Sequence, residues 1–224
     1  MVKGLFIAGT DTGVGKTYVT CALLRQLGRD GVSVAGMKPV AAGCQIINGE
    51  PVNDDVLALL QASTIKPDQA FISPYRLAQA CSPHLAAQAE NVKIDPARIR
   101  TDFEKLAEIA DFVIVEGTGG WMSPISDSET MQDIAIVLGL PVVLVVAIRL
   151  GCLNHSLLTV QSIKAAGLQM AGWVANYPDE GLPRDLPVEN TLNERLDSPF
   201  LGVVVHQESA EQSQKLDVYG IRKF

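Results

Sequence analysis

A short apolar run, Leu5 to Ala8, breaks into Gly9-Thr10-Asp11-Thr12-Gly13-Val14-Gly15-Lys16-Thr17, after which Val19, Ala22, Leu23 and Leu27 recur at helical spacing. Strand, glycine-rich turn and helix in immediate succession leave few folds open, because the turn must be the first link of an alternating β/α chain. The same turn is suited to phosphate. Glycines let consecutive backbone N–H groups face inward around anionic oxygens, and the helix N-terminus adds its partial positive charge. Lys16 can reach outer phosphates, and the Thr17 hydroxyl can join the shell of a Mg²⁺ ion. The spacing departs from the usual motif by one residue. Thr10 stands where the first glycine belongs, and the glycine is at Gly9. An ordinary glycine-rich turn is the competing reading.

The rest of the chain keeps the same rhythm. Expected strands are Ser33 to Lys38, Phe112 to Val115, Pro141 to Ala147, Met170 to Ala175 and Leu201 to Val205. Between them fall helices at Val56 to Leu60, His84 to Glu90, Pro96 to Ala110, Thr130 to Leu138, Asn154 to Ala166 and Val188 to Leu196. Asp95-Pro96 reads as a cap and a first helical residue. In the helix that follows, Ile99, Phe103, Leu106 and Ile109 share one face. Ala41 to Asn53 is expected to be a loop with a tight turn at Asn48-Gly49, and Ser73 to Pro83 to be irregular. Phe112-Val113-Ile114-Val115 is continuously apolar rather than alternating, so both faces are buried, as in a parallel sheet. The expectation is a single α/β domain over residues 1–224, a doubly wound, mostly parallel sheet of the P-loop NTPase kind. With 224 residues, 47% hydrophobic and 19% charged, the chain can bury such a core. Its net charge of −7, with no Lys/Arg cluster, argues against nucleic acid or an anionic membrane as partner. The longest apolar run, Leu138 to Ile148, is too short to span a bilayer. Four scattered cysteines suit a reducing compartment. With no signal-peptide layout ahead of the first strand, the expected location is the cytoplasm.

In doubly wound sheets ligands lie beyond the carboxyl ends of the strands. Those ends carry the glycine loop, Lys38, Glu116, Leu150-Gly151-Cys152 and Asn176. Glu116 follows four apolar residues and is flanked by Gly117, Gly119 and Gly120, which permit close backbone approach to a ligand. Asp54 and Asp55 open a helix. Asp54 is assigned to the helix start and Asp55 to metal binding. Mg²⁺ takes a few hard oxygens plus phosphate and water, and Thr17, Asp55 and Glu116 would supply them. Lys38, opposite Lys16, gives the second cation that phosphoryl transfer requires. These residues by themselves reach a Mg²⁺-dependent ATP enzyme.

The glycine loop, with its offset first glycine, resembles that of the dethiobiotin synthetase family. So do Lys38-Pro39-Val40, Ser82-Pro83-His84, Val115 to Trp121, Leu150 to His155 and Gly172 to Asn176, all in family order. The resemblance implies a reaction of ATP, CO₂ and 7,8-diaminononanoate that gives dethiobiotin, ADP and phosphate. It implies that Gly13, Val14, Gly15, Lys16, Thr17 and Tyr18 cradle the phosphates and that Thr17, Asp55 and Glu116 ligate Mg²⁺. Lys38, Lys16 and Thr12 would serve the reacting centre, with the backbone of Gly117, Thr118, Gly119 and Gly120 lining it. Asn176 and the segment Val205-His206-Gln207 would border adenine. Ala42, Ser82, Gly151, Cys152 and Asn154 would meet the diamine, the last three across a homodimer. Three departures stand out. Ala42 replaces a frequent serine, Gly13 an acidic residue of some members, and Val203 to His206 lacks the usual proline. Cys81 and Cys152 are expected to be packing residues. The competing classes are a partitioning ATPase, which usually has a lysine where Asp11 stands, and an amide-forming relative, which needs a glutamine-hydrolysing domain for which the chain is expected to be too short.

Overall fold

A computed structural model describes residues 4–178, 181–205, 216, 217 and 221. The chain begins β1 (Gly4–Gly9), α1 (Lys16–Arg29), β2 (Val34–Met37), β3 (Val40–Ala42), β4 (Gln45–Ile47) and β5 (Glu50–Val52). It continues with α2 (Asp54–Ala62), α3 (Gln69–Ile72), β6 (Tyr75–Leu77), α4 (Pro83–Ala89), α5 (Pro96–Ile109) and β7 (Phe112–Glu116). Then come α6 (Met131–Leu138), β8 (Val142–Ala147), α7 (Cys152–Ala165), β9 (Met170–Tyr177), α8 (Val188–Leu196) and β10 (Phe200–Val205).

Six strands form one parallel sheet in the order β10-β9-β8-β1-β7-β2. Every residue of β1, β2, β7, β8 and β9 is buried, as their unbroken apolar runs require when helices cover both faces. Side chains alternate across the sheet. Phe6, Val113, Val115 and Leu144 enter the core beneath α5 to α8, whereas Leu5, Ile7, Ile114 and Val143 meet Val19, Leu23 and Leu27 of α1. The chain leaves β1 for the β2 edge, returns through β7, and crosses to β8 on the other side. This reversal opens the crevice of a doubly wound sheet beside the carboxyl end of β1, where the glycine loop sits.

Several local expectations are corrected. The stretch from Ala41 to Asn53 is not all loop. Gln45–Ile47 and Glu50–Val52 pair antiparallel around Asn48 and Gly49, whose positive φ values of 53° and 86° suit a tight hairpin turn. Tyr75–Leu77, within the segment expected to be irregular, pairs parallel with Val40–Ala42. Ile109, expected on the buried face of α5 with Ile99, Phe103 and Leu106, is the last residue of the helix and is 56% exposed. Helix α7 starts at Cys152 with Gly151 as its N-terminal boundary, so Asn154 lies inside the helix and does not cap it. At α2 the capping group is Asn53, not Asp54: its side chain accepts from the backbone N–H of Asp55 at 3.1 Å and Val56 at 3.3 Å. Asn53 has the extended backbone that an N-cap requires, whereas Asp54 is already helical.

This assignment predicts that Asn53→Ala lowers the unfolding free energy by about 1 kcal/mol, the usual loss for an N-cap. Asp54→Asn should change it by only a few tenths, the scale of a surface substitution. Urea denaturation of the two variants separates them, and equal losses would return the cap to Asp54.

Candidate active site

The glycine loop joins β1 to α1 and is held from behind. Gly15, at φ 90°, has no room for a side chain, because a Cβ there would collide with the Asn176 amide at the end of β9. The Asn176 Nδ2 in turn donates to the Val14 carbonyl at 2.9 Å. Trp121 N–H donates to the Gly9 carbonyl at 3.1 Å, so the loop after β7 is fastened to the end of β1. Asp11 closes the turn: its carboxylate accepts from the Thr12 backbone at 2.7 Å and from Arg149 at 2.7 Å.

Charges converge in front of this loop. Glu116, the last residue of β7, is fully buried, and Lys38, one residue beyond β2, is 4% exposed. The Lys38 ammonium donates to Glu116 Oε1 at 2.5 Å and to Asp55 Oδ2 at 2.8 Å. The Thr17 hydroxyl donates to the same Glu116 oxygen at 2.7 Å. Burial alone would lower the Lys38 pKa, but the charges of Glu116 and Asp55 outweigh it and hold the ammonium above its ordinary value. Burial would likewise raise Asp55, yet the charge and hydrogen bond of Lys38 keep its carboxyl below the usual range. Lys16 lies apart from this cluster. Its ammonium donates to the carbonyls of Gly119 at 2.6 Å and Asp11 at 3.1 Å, and burial, reinforced by repulsion from Lys38, pulls its pKa down to about 8.

The donor set fits a hard divalent cation. Glu116 Oε2 is buried and has no hydrogen-bond partner among the described residues, the Thr17 hydroxyl donates to the other oxygen, and Asp55 shares the Lys38 ammonium with that oxygen. No group of three or more His, Cys, Asp or Glu side chains with metal-binding geometry occurs among the described residues. Two carboxylates and a hydroxyl suit Mg²⁺, which keeps several waters and takes phosphate oxygens, and not an ion needing an all-protein cage.

A cavity of about 980 Å³ opens over these groups. It is lined by Thr12, Gly13, Gly15, Lys16, Thr17 and Tyr18 of the loop and α1, and by Lys38, Asp55 and Glu116. Ala42, Ser82, Thr118 and Gly119 complete the group of expected residues on its wall. Others lie elsewhere. Val14 packs in the core; Gly117 sits behind the wall, facing Phe6 and Met131. Asn176 is 1% exposed, its Oδ1 buried without a partner among the described residues. The Val205 carbonyl accepts a long hydrogen bond from the Tyr18 hydroxyl at 3.4 Å. Gly151, Cys152 and Asn154 are not on the cavity wall of their own chain. His206 and Gln207 lie outside the described residues.

Sequence reasoning missed Cys21, Arg25 and Ala58 on the wall between α1 and α2. Cys21 and Arg25 follow Thr17 at intervals of four, a helical spacing that would have revealed them. Ser123 was missed too, and it borders both this cavity and a smaller one of about 380 Å³ beside Trp121 and Leu158. Cys152 is a packing residue as expected, but Cys81 is exposed on the cavity wall.

Fold and site together define a phosphate-binding-loop α/β protein. The AAA-domain family profile matches residues 3–214. Among curated proteins, the ATP-dependent dethiobiotin synthetase BioD of Aromatoleum aromaticum is 51% identical over 212 residues, covering 95% of this chain and 94% of that protein. The protein of the same name from Nitrosospira multiformis is 46% identical, covering 93% of this chain and 91% of that one. The chain belongs to the ATP-dependent dethiobiotin synthetase family. Among solved structures, the septum site-determining protein MinD of Pyrococcus horikoshii, complexed with Mg-ADP, matches with a TM-score of 0.55 at 18% identity, covering 92% of this chain and 82% of that one. A ParA family ATPase from Chlorobium tepidum matches with a TM-score of 0.56 at 13% identity, covering 93% and 86%. These two share the fold.

The low pKa of Lys16 makes a pH prediction. A bound triphosphate favours the ammonium form and raises this pKa above its ligand-free value of about 8. Metal-free nucleotide affinity should therefore be full below pH 8 and fall by up to about tenfold per unit above it. Titrating a fluorescent ATP analogue between pH 7.5 and 9.5 reads the slope, and Lys16→Arg should flatten it. A flat profile for the unaltered protein would contradict the assignment.

Proposed function

We propose that this chain is an ATP-dependent dethiobiotin synthetase, closing the ureido ring of dethiobiotin from 7,8-diaminononanoate and CO₂. The observation that carries the reading is the 51% identity over 95% of the chain, joined to a lysine-bearing phosphate loop that faces a second, buried lysine. One substrate amine adds to CO₂ as a carbamate and releases a proton. The carbamate oxygen attacks the γ-phosphorus of ATP, giving a carbamic-phosphoric anhydride and ADP. The second amine then attacks the anhydride carbon and loses a proton, the ring C–N bond forms, and the bond from that carbon to the phosphate oxygen breaks to release phosphate. No side-chain nucleophile is required; the protein positions reactants and stabilises charge.

In this reading the loop from Gly13 to Tyr18 wraps the phosphates, and Lys16 exchanges its carbonyl partners for the outer ones. Lys38 faces the oxygens on which charge accumulates between carbamate and γ-phosphate. Thr12 and the backbone of Thr118 and Gly119 border the reacting atoms, with Ala42 and Ser82 beside the diamine. Mg²⁺, held by Thr17, Asp55 and Glu116, would neutralise charge on the phosphate oxygens when bound. Asn176, Val205, His206 and Gln207 are the residues this reading assigns to the base. We further propose one domain spanning 1–224, acting in the cytoplasm without nucleic acid or membrane as partner.

The primary test is phosphate release from ATP with and without the diamine and bicarbonate. Release should require both; release indifferent to the diamine would sink the reading in favour of a switch ATPase. Lys16→Ala or Lys38→Ala should lower turnover by about two to three orders of magnitude. Because Glu116 is fully buried, Lys38→Ala should also cost several kcal/mol of stability by leaving a buried carboxylate unpaired. Asp55→Asn and Glu116→Gln should raise the Mg²⁺ concentration needed, and Asp54→Asn should do far less.

The homodimer is part of the proposal. Helix α7 begins without a side-chain cap, so its N-terminus is suited to the tail carboxylate of a diamine bound by the neighbouring chain, with Gly151, Cys152 and Asn154 around it. Leu150 is 89%, Leu158 57% and Met122 54% exposed, apolar surface that a two-fold interface would cover. Complementation checks the sharing. Lys16→Ala and Gly151→Glu chains should each be inactive alone, while mixed dimers regain one working site. Confirmed subunit exchange without recovered activity would refute it.

A further inference from the structure

The phosphate loop is held in two halves. Its rear half, Val14 and Gly15, rests on Asn176. Its front half is open to solvent. Asp11, Thr12 and Gly13 are exposed, and Thr10 reaches β8 only through a long backbone hydrogen bond of 3.4 Å to the Val145 carbonyl. The Asp11 carboxylate fixes this half. One oxygen accepts the Thr12 backbone N–H at 2.7 Å, and the other accepts from Arg149 Nη2 at 2.7 Å. The main-chain carbonyl of Asp11 is also one of the two that hold the Lys16 ammonium. Thr12 lines both cavities, so the position of this turn sets what borders them.

Arg149 is delivered to Asp11 by the sheet. Strands β1 and β8 run parallel with Gly9 opposite Val145, so the residues that follow each strand leave the sheet side by side. The turn that carries Arg149 from β8 into α7 is itself pinned. Its backbone N–H donates to the Ala147 carbonyl at 2.9 Å, and its carbonyl accepts at 3.0 Å from Cys152, the first residue of α7. A guanidinium on a fixed base therefore meets a carboxylate on an exposed turn. With side chains 42% and 53% exposed, the pair contributes little to folding. Its geometric effect can be larger, because a displacement of about 1 Å near reacting atoms costs up to about a hundredfold in rate.

Resting on the functional reading above, we propose that Arg149 is a positioning residue for the reacting centre. Through the Asp11 carboxylate it sets the Thr12 peptide and the Asp11 carbonyl, and with them the place of Thr12 and the resting partner of Lys16. It touches no substrate in this role. The two anchors serve different ends of the loop: Asn176 keeps the Val14–Gly15 cradle for phosphate, and Arg149 keeps the turn before it for the chemical step. Removing Arg149 therefore slows the reaction and leaves substrate affinity nearly intact.

The experiment compares Arg149→Ala, Arg149→Lys, Asp11→Asn and the Arg149→Ala/Asp11→Asn double variant in the diamine- and bicarbonate-dependent phosphate assay. Arg149→Ala should lower kcat about tenfold to a hundredfold. The KM for ATP and the KM for the diamine should each stay within about threefold. Asp11→Asn keeps an oxygen for the Thr12 N–H but loses the charge, so it should match Arg149→Ala, and the double variant should be no slower than either. A single guanidinium nitrogen makes the contact, so Arg149→Lys should recover kcat to within about threefold of the unaltered protein. The melting temperature should fall by no more than about 3 °C in each variant. An unchanged kcat in Arg149→Ala, multiplicative losses in the double variant, or a lysine no better than alanine would each overturn the proposal. A selective rise in diamine KM would overturn it too, by making Arg149 a direct substrate contact, and a much larger fall in melting temperature would make its role structural. Failure of the functional reading is distinct, since it would show as diamine-independent phosphate release by the unaltered protein.

Discussion

A lysine ammonium and a carboxylate, both nearly removed from solvent, meet 2.5 Å apart at the ends of β2 and β7. Taking either charge from water alone would cost several kcal/mol, so each is tolerable only because the other is present. Strands β2 and β7 pair in register from Val34↔Phe112 to Met37↔Val115, which brings Lys38 and Glu116 level just beyond the last pair. Asp55 then joins Lys38 from the first turn of α2, and Thr17 joins Glu116 from the first turn of α1. Two strands and two helices are thereby tied to one buried charge cluster. The arrangement also leaves Glu116 Oε2 without a partner among the described residues, and with two carboxylates to one ammonium the cluster keeps a negative charge that a bound cation would meet.

The central sheet was legible because burial on both faces removes the alternation of an exposed strand and leaves continuous apolar runs, as in Phe112 to Val115 and Val142 to Ala147. The small ribbons were not. Strands β3 to β6 are three residues each, too short for a side-chain pattern to mark them, and all of β4 is exposed. The choice between Asn53 and Asp54 as cap turned on which residue has extended backbone, since both side chains can accept the bonds. Among site residues, Lys16, Lys38 and Glu116 could be found because a parallel sheet gathers its carboxyl ends. Arg25, Ser123 and Cys81 enter the cavity from a helix flank and two turns, positions that strand order does not predict. Asn176 was placed correctly at a strand end, but its burial against Gly15 follows from a missing Cβ on a different element.

The charged side chains of the phosphate loop have partners within the loop and on neighbouring segments. Lys16 is satisfied by two carbonyls and Asp11 by a backbone N–H and Arg149, so neither charge is left bare. The Asp11–Arg149 pair is partly exposed on both sides and adds little stability by itself. Its effect is geometric: it fastens the turn before Thr12 to the segment between β8 and α7. The loop that faces phosphate and the segment that opens α7 are therefore one mechanical unit.

The strand order sets a schedule for how this molecule is made. β1 precedes every other strand of the sheet, yet its neighbours β7 and β8 lie more than a hundred residues downstream, with Gly4 opposite Val113 and Gly9 opposite Val145. Until those strands emerge, the most central strand of the sheet has no partner on either edge, and contacts of such long sequence separation form slowly. The loop after β1 waits longer still, because Asn176 must arrive before Gly15 and Val14 are held from behind. The apolar β1 thus leaves the ribosome as an unpaired edge, the kind of surface on which chaperones and aggregation compete.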